Sequence, residues 1–185
     1  MAYPQGINFR DTLAYVTDVS PEEFEDGQPG IDYPRTTAQG NTVGFEQLLD
    51  SRDRNAGVDR RLAGLNFSNA AQVDFRLDLS STGDWSIRLA AGDYNYAQGT
   101  AIDVYDTTTS RGSLATGSTS AAQKYKDATN TEYSAAAWPG SNSAVTKTFT
   151  TTICRIRLLN NGGVNVISHV RLDAAADTLF AQAAL

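Results

Sequence analysis

The sequence predicts an all-β chain, a two-sheet antiparallel sandwich or jelly roll with long loops, and three observations predict it. Apolar and polar residues alternate with period two in several short runs, the pattern of a strand with one buried and one wet face. Gly, Asn, Ser and Thr separate those runs, and β-branched threonine is abundant throughout. Helical periodicity of any length is confined to the Ala-rich end, "DAAADTLFAQAAL".

Taken in chain order, Gly6 to Phe9 and Ala14 to Thr17 open as strands. Residues 18–41 hold three of the five prolines and a local acidic run, so they read as a long exposed excursion. Thr42 to Glu46 and Leu62 to Phe67 are the next strands. "QVDFRLDL" then alternates Val73, Phe75, Leu77 and Leu79 with polar residues, and "GDWSIRLAAGD" repeats the pattern with Trp85, Ile87 and Leu89. With turn-forming "SSTGD" between them, the two read as an antiparallel hairpin. Ala101 to Tyr105 follows. Residues 107–147, rich in Thr, Ser, Ala and Gly, read as a second long loop, of the kind that is functional or held by partners. Thr148 to Leu159 and Val164 to Asp173 close the sandwich across "NNGG", a composition tolerant of positive φ. The reading is one sandwich over 1–173, with 174–185 as a tail or arm.

Composition narrows the function classes. A length of 185 residues fits one domain with a sizeable apolar interior, and 41% hydrophobic against 19% charged residues is globular, not disordered. A net charge of −6 argues against nucleic acid and against an anionic membrane as partners. The basic residues are 12 Arg and only 3 Lys, a bias toward planar, bidentate contacts. Cys154, alone in "TTICRIRLL", has no disulfide partner and reads as a buried thiol. "MAYPQGINFR" lacks a basic start and apolar h-region, and no run approaches the ~20 apolar residues of a span, so synthesis in a cytoplasm is expected.

No catalytic motif stands out. G-x-S-x-G, G-x-x-x-x-G-K-[ST], H-E-x-x-H and C-x-x-C are all absent. His169, the one histidine, alternates with Ile167 and Arg171 in "VISHVRL" and reads as structural or interfacial. A non-enzymatic protein without cofactors is expected. Structural calcium is left open at two strand-end carboxylates, Asp93 and Asp173, each read first as a solvated turn residue.

The stretch "SRDRNAGVDRRLAG", 51–64, is the most unusual. Four arginines against two aspartates leave only +2, which suits Arg–carboxylate pairing better than a polyanion. Asn55, Ala56 and Gly57 would let its two halves fold back as an ion-paired loop over one end of the sandwich. Subunit contact and ligand binding are the other readings, and Arg52, Asp53, Arg54, Asn55, Asp59, Arg60 and Arg61 are proposed as interface residues. Tyr94, Tyr96 and Trp138 are the aromatic platforms on which a sugar ring would stack.

The order of "INFR", "YVTD", "DYPRTTAQGNTVGFE", "RDRNAGVDRRLAGLNF", "FRLDL" and "IRLAAGD" resembles the galactose-binding-like β-sandwich of carbohydrate-binding modules and of the start of rhamnogalacturonan acetylesterase-type proteins. Gly44-Phe45, Arg52-Asp53 and "LDLSSTGDWSIRLAAGD" carry the likeness. The departures are "LSSTGDW", where a proline often precedes the turn, and the lack of a following hydrolase segment. "YPRTTAQGNTVG" and "KDATNTEYSAAAWPGSN" are similar to short stand-alone proteins of tailed bacteriophages and prophages. That resemblance implies a non-enzymatic virion structural protein, a capsid decoration or cement protein. It would be made in the host bacterial cytoplasm, contacting the major capsid protein or other virion subunits and forming a homo-oligomer, a trimer among the options. The alternative is a carbohydrate-binding tail or appendage protein that recognises a host-surface glycan.

Overall fold

The computed structural model describes residues 5–9, 25–27, 33–37, 40–54, 59–62, 64–98, 100–138 and 143–174. Among them the only helix is two single 3-10 turns, Arg60–Leu62 and Ala135–Ala137. The first strands are β1 (Gln5–Phe9), β2 (Glu25–Gly27), β3 (Arg35–Thr36), β4 (Thr42–Phe45), β5 (Asp50–Asp53), β6 (Gly64–Ser68), β7 (Gln72–Asp78) and β8 (Gly83–Asp93). They are followed by β9 (Thr100–Asp106), β10 (Thr109–Ser113), β11 (Lys124–Lys126), β12 (Glu132–Ser134), β13 (Val145–Phe149), β14 (Ile153–Asn160), β15 (Asn165–Ile167) and β16 (His169–Ala174).

These strands build the expected sandwich. One sheet runs β10-β9-β14-β7-β4-β3, and the other runs β12-β11-β8-β16-β1-β2 with β13 also on β8. A small sheet, β15-β6-β5, packs against β1 and β8 on one side and β9 and β14 on the other. The described pairings between elements are antiparallel except β1 with β2, which is parallel. Alternation explains the layers: Phe75 and Leu77 of β7, Ile156 and Leu158 of β14, and Ile102 and Val104 of β9 turn inward. They meet Trp85, Ile87 and Leu89 of β8 and Val170 and Leu172 of β16 in one buried cluster. Phe9 of β1 crosses the gap to Phe45 and Phe75, with ring centroids 5.4 and 5.1 Å away. Each such ring contributes roughly 1.5–3 kcal/mol by leaving water.

The structure departs from the sequence reading in several places: residues 18–41, read as one excursion, carry β2 and β3, and Val164 to Asp173, read as one strand, divides into β15 of the small sheet and β16 of the larger one. The β7–β8 hairpin does not form: residues 79–82 cross between sheets, β7 pairing with β4 and β14 while β8 pairs with β11, β13 and β16. Alternation specifies the apolar face of a strand but not its neighbour, and here the two faces stack across the core instead of lying side by side. Residues 107–138 are not a loop, because β10, β11 and β12 extend the two sheets at their edges. Edge strands of three to five residues lack a core-facing stripe and so leave no periodic signal; β10 is mostly exposed. Gly92 marks one such junction. A Cβ there would sit 2.3 Å from the Lys124 carbonyl oxygen, so only glycine lets β11 approach β8 this closely.

Thr148 to Leu159 is likewise two strands, β13 and β14, and the break at residues 150–152 wraps a carboxylate. Asp106, at the end of β9 and buried, accepts from Thr150 N (2.6 Å), Thr150 Oγ1 (2.7 Å), Thr151 N (3.2 Å), Thr151 Oγ1 and Arg111. Burial pushes this carboxyl up, but the donors from Thr151, Thr150 and Arg111 outweigh it and hold it well below the usual range. Two expected features lie outside the described residues: the strand Ala14 to Thr17, and the tail from 175 onward. Ala174 itself closes β16.

A depressed folded-state value makes Asp106 stabilising above the unfolded carboxylate value of about 3.9, and that contribution is lost as pH falls through the folded value. Asp106→Asn is expected to cost about 2–3 kcal/mol at pH 7, in the range of hydrogen bonds to a charged group. It should also flatten the fall in urea midpoint below about pH 4. Urea titrations of both proteins from pH 2.5 to 7 check this.

Candidate functional site

The small sheet and the end of β8 together form a cleft of about 510 Å³. Its apolar wall comes from Leu65 and Phe67, two residues apart on β6 and so on one face, with Val164 before β15. Arg52 stands opposite Leu65 in the β5–β6 register, its guanidinium 4.9 Å from the centre of the Phe67 ring. Arg54 lies just beyond β5. The facing wall is the segment after β8: Asp93, Tyr96, Ala97 and Gln98.

Asp93 organises this wall. It is 2% exposed, and its two oxygens take the Arg54 guanidinium as a fork, Nε to Oδ1 at 2.8 Å and Nη2 to Oδ2 at 3.2 Å. Oδ1 also accepts from Asn95 N at 2.8 Å, which bends the chain, and Oδ2 accepts from Gln98 Nε2 at 3.4 Å. The Asp93 hydrogen bond holds Arg54 above the ordinary arginine value, against the opposing effect of burial. Gln98 is fixed from behind: its N donates to Thr119 Oγ1, and its carbonyl accepts from Thr119 N at 2.8 Å. Tyr94 turns inward onto a second apolar cluster of Leu62, Ala90, Tyr125, Ala135 and Trp138. Tyr96 turns outward and is 59% exposed, with the Arg54 guanidinium 5.9 Å from its ring centre. An exposed ring thus stands beside a pinned row of guanidinium, carboxylate and amide, with apolar groups opposite.

The residues that the sequence nominates separate here. Arg52, Arg54, Asp93 and Tyr96, drawn from three different expectations, line one cleft. Arg54 does not pair within its own loop; its partner lies 39 residues away. Asp59 and Arg61 do pair locally, at 2.9 and 2.6 Å, and Arg61 outweighs burial in holding Asp59 below the usual carboxylate range. Asn55 is outside the described residues, and for Asp53 and Arg60 the backbone alone is described, at the end of β5 and the start of the first 3-10 turn.

Trp138 is not a sugar platform. It is 8% exposed, packed edge-on against Tyr125 and Tyr133 at 6.1 and 5.7 Å. Tyr94 is half-buried against the same cluster. Neither calcium candidate is available to a cation, since arginine already occupies each carboxylate: Arg54 for Asp93, and Arg88 and Arg171 for Asp173. Among the described residues no group of three His, Cys, Asp or Glu could hold a metal ion. His169 is buried, its Nδ1 2.8 Å from Asn8 Oδ1, and burial brings its imidazole down to about 3, so it is neutral at pH 7. Sequence reasoning missed Leu65, Phe67, Gln98 and Val164 as site residues. Phe67 sat in an expected strand, but nothing in Gln98 or Val164 marks a wall.

No family model and no curated protein matches this chain. Solved structures do. Bacteroides uniformis β-glucuronidase 2, covalently bound to cyclophellitol-6-carboxylate aziridine, superposes with a TM-score of 0.55 at 14% identity over 93% of this chain. A second structure of Bacteroides uniformis β-glucuronidase gives 0.54 at 12% identity over 93% of the chain. The chain spans 18% of the length of each, and the likeness is one of fold. TmCBM61, in complex with β-1,4-galactotriose, matches at a TM-score of 0.32 and 13% identity, over 79% of this chain and 94% of that one, too loosely to add to the fold.

Arg54→Ala leaves the Asp93 carboxylate buried without its fork and is expected to cost roughly 3 kcal/mol in urea unfolding. Faster amide hydrogen exchange at Asn95 should accompany the loss, because Asp93 Oδ1 is the acceptor for that amide.

Proposed function

We propose that this chain is a non-catalytic saccharide-binding β-sandwich whose site is the cleft between β5, β6 and the segment after β8. One observation carries the reading: Tyr96 is held outward beside the Arg54–Asp93–Gln98 row. Pyranose rings present an apolar C–H face and a rim of hydroxyls. The Tyr96 ring suits the face, while the Arg54 and Gln98 side chains, both held by the buried Asp93 carboxylate, offer their remaining polar atoms to the rim. Because those groups are already hydrogen-bonded to one another, little ordering remains to be done on binding. The sandwich likeness to a segment of a β-glucuronidase supports the same class of ligand. A neutral, buried His169 gives no support to esterase chemistry.

The setting we infer is a bacteriophage tail or appendage, on the sequence resemblance. Capsid cementing through the segment 52–61 draws less support, because Arg54 and Arg61 already hold carboxylates of their own chain. No helix of the described residues is long and apolar enough to cross a membrane.

Affinity-gel retardation on a panel of neutral and acidic polysaccharides tests the reading. Tyr96→Ala, an exposed position, should leave the unfolding midpoint unchanged and weaken retention about tenfold, the loss of one stacking contact. Wild-type mobility that no polysaccharide alters counts against the proposal.

A further inference from the structure

We infer that the cleft takes a saccharide bearing a carboxylate, a hexuronate unit, and that Arg52 is the residue that selects it. The inference rests on the saccharide reading of the site and adds the charge of its ligand. Among the described residues, three charged side chains line the cleft, Arg52, Arg54 and Asp93. Arg54 and Asp93 neutralise each other in the fork, at 2.8 Å. Arg52 keeps its charge: it is exposed, its Nη1 donates only to the Ser51 carbonyl at 2.6 Å, and its guanidinium lies over the Phe67 ring. No carboxylate among the described side chains makes an ion pair with it, Asp50 on the same face of β5 included. Among the described side chains the cleft therefore carries one positive charge, in a protein of net charge −6.

That position is built for selection rather than for stability. The arginines with described ion pairs hold carboxylates of their own chain, whereas Arg52 is exposed at the cleft. The Phe67 face holds the guanidinium plane in place without using its N–H groups. A planar carboxylate matches two parallel N–H donors, a match that a neutral hydroxyl cannot make. A bound neutral sugar would leave the charge unanswered, and a bound uronate would answer it.

The overall negative charge makes the test discriminating, because an acidic polymer is repelled by the protein as a whole and is retained only through a local site. Polygalacturonate, alginate and hyaluronan are cast in affinity gels, each beside its carboxyl-reduced counterpart, with galactan as a neutral arm and dextran sulfate as a sulfate arm. Wild-type protein should be retained by at least one carboxylated polymer about tenfold more strongly than by its reduced form, the usual scale of a charge-assisted pair. Arg52→Gln, on an exposed side chain and checked for an unchanged urea midpoint, should bring the two forms within about twofold. Tyr96→Ala should weaken retention by both.

Equal retention of carboxylated and reduced polymers, or an acid preference that survives in Arg52→Gln, overturns the uronate assignment and leaves the saccharide reading standing. Retention by dextran sulfate alone also overturns it, in favour of a sulfate ester. Retention by none of the polymers overturns both.

Discussion

The bidentate contact between Arg54 and Asp93 ties the end of β5 to the end of β8 across 39 residues of sequence, and the geometry of the cleft hangs on it. Asp93 is buried, so its charge is tolerable only while the guanidinium fork and the Asn95 amide answer it. Once they do, the chain from 93 to 98 has little freedom: Tyr94 is drawn onto the cluster around Tyr125, and Tyr96 is left facing out. A lysine at position 54 could supply charge but not two parallel bonds.

The same chemistry runs over the outer face of the six-stranded sheet and accounts for the arginine bias of the composition. Arg157 forks onto Asp74 with both bonds at 2.8 Å and lies 3.9 Å from the Tyr105 ring centre; Arg155 forks onto Glu46 at 2.7 and 3.0 Å. Arg76 pairs with Asp78 and stacks on Tyr33 at 4.4 Å. Cross-strand register places Arg157 directly opposite Asp74, and the Arg157 contact with Tyr105 is diagonal, since Tyr105 stands opposite Arg155. Both partners of each pair are largely shielded from water, so together the pairs order the polar face of this sheet. Arg52 differs from these arginines in having no ion pair with a carboxylate among the described side chains.

What was legible in the sequence follows from what alternation encodes. Val73, Phe75 and Leu77 announce a strand and its buried face, and the same holds for Trp85, Ile87 and Leu89; the sandwich follows from them. Which strand lies alongside is a long-range choice, so β7 and β8 look like a hairpin and turn out to face each other across the core. Trp138 shows the limit for sites: a tryptophan beside proline and glycine reads as an exposed loop anchor, and only the packing of Tyr125 and Tyr133 around it shows that it is buried. Arg54, Asp93 and Tyr96 were each visible as unusual, but the fold alone brings Arg54 to the other two, because it lies 39 residues from Asp93.

The cleft as a saccharide site is tested most directly by mapping where a sugar lands. A 15N-labelled sample is titrated with oligosaccharide fragments of whichever polymer retains the protein in gels. The account predicts shifts concentrated at the Arg52 and Arg54 Nε–H groups, the Gln98 side-chain amide and the backbone from 93 to 98. Shifts confined to the outer face of the six-stranded sheet, around Arg76, Arg155 and Arg157, would contradict it.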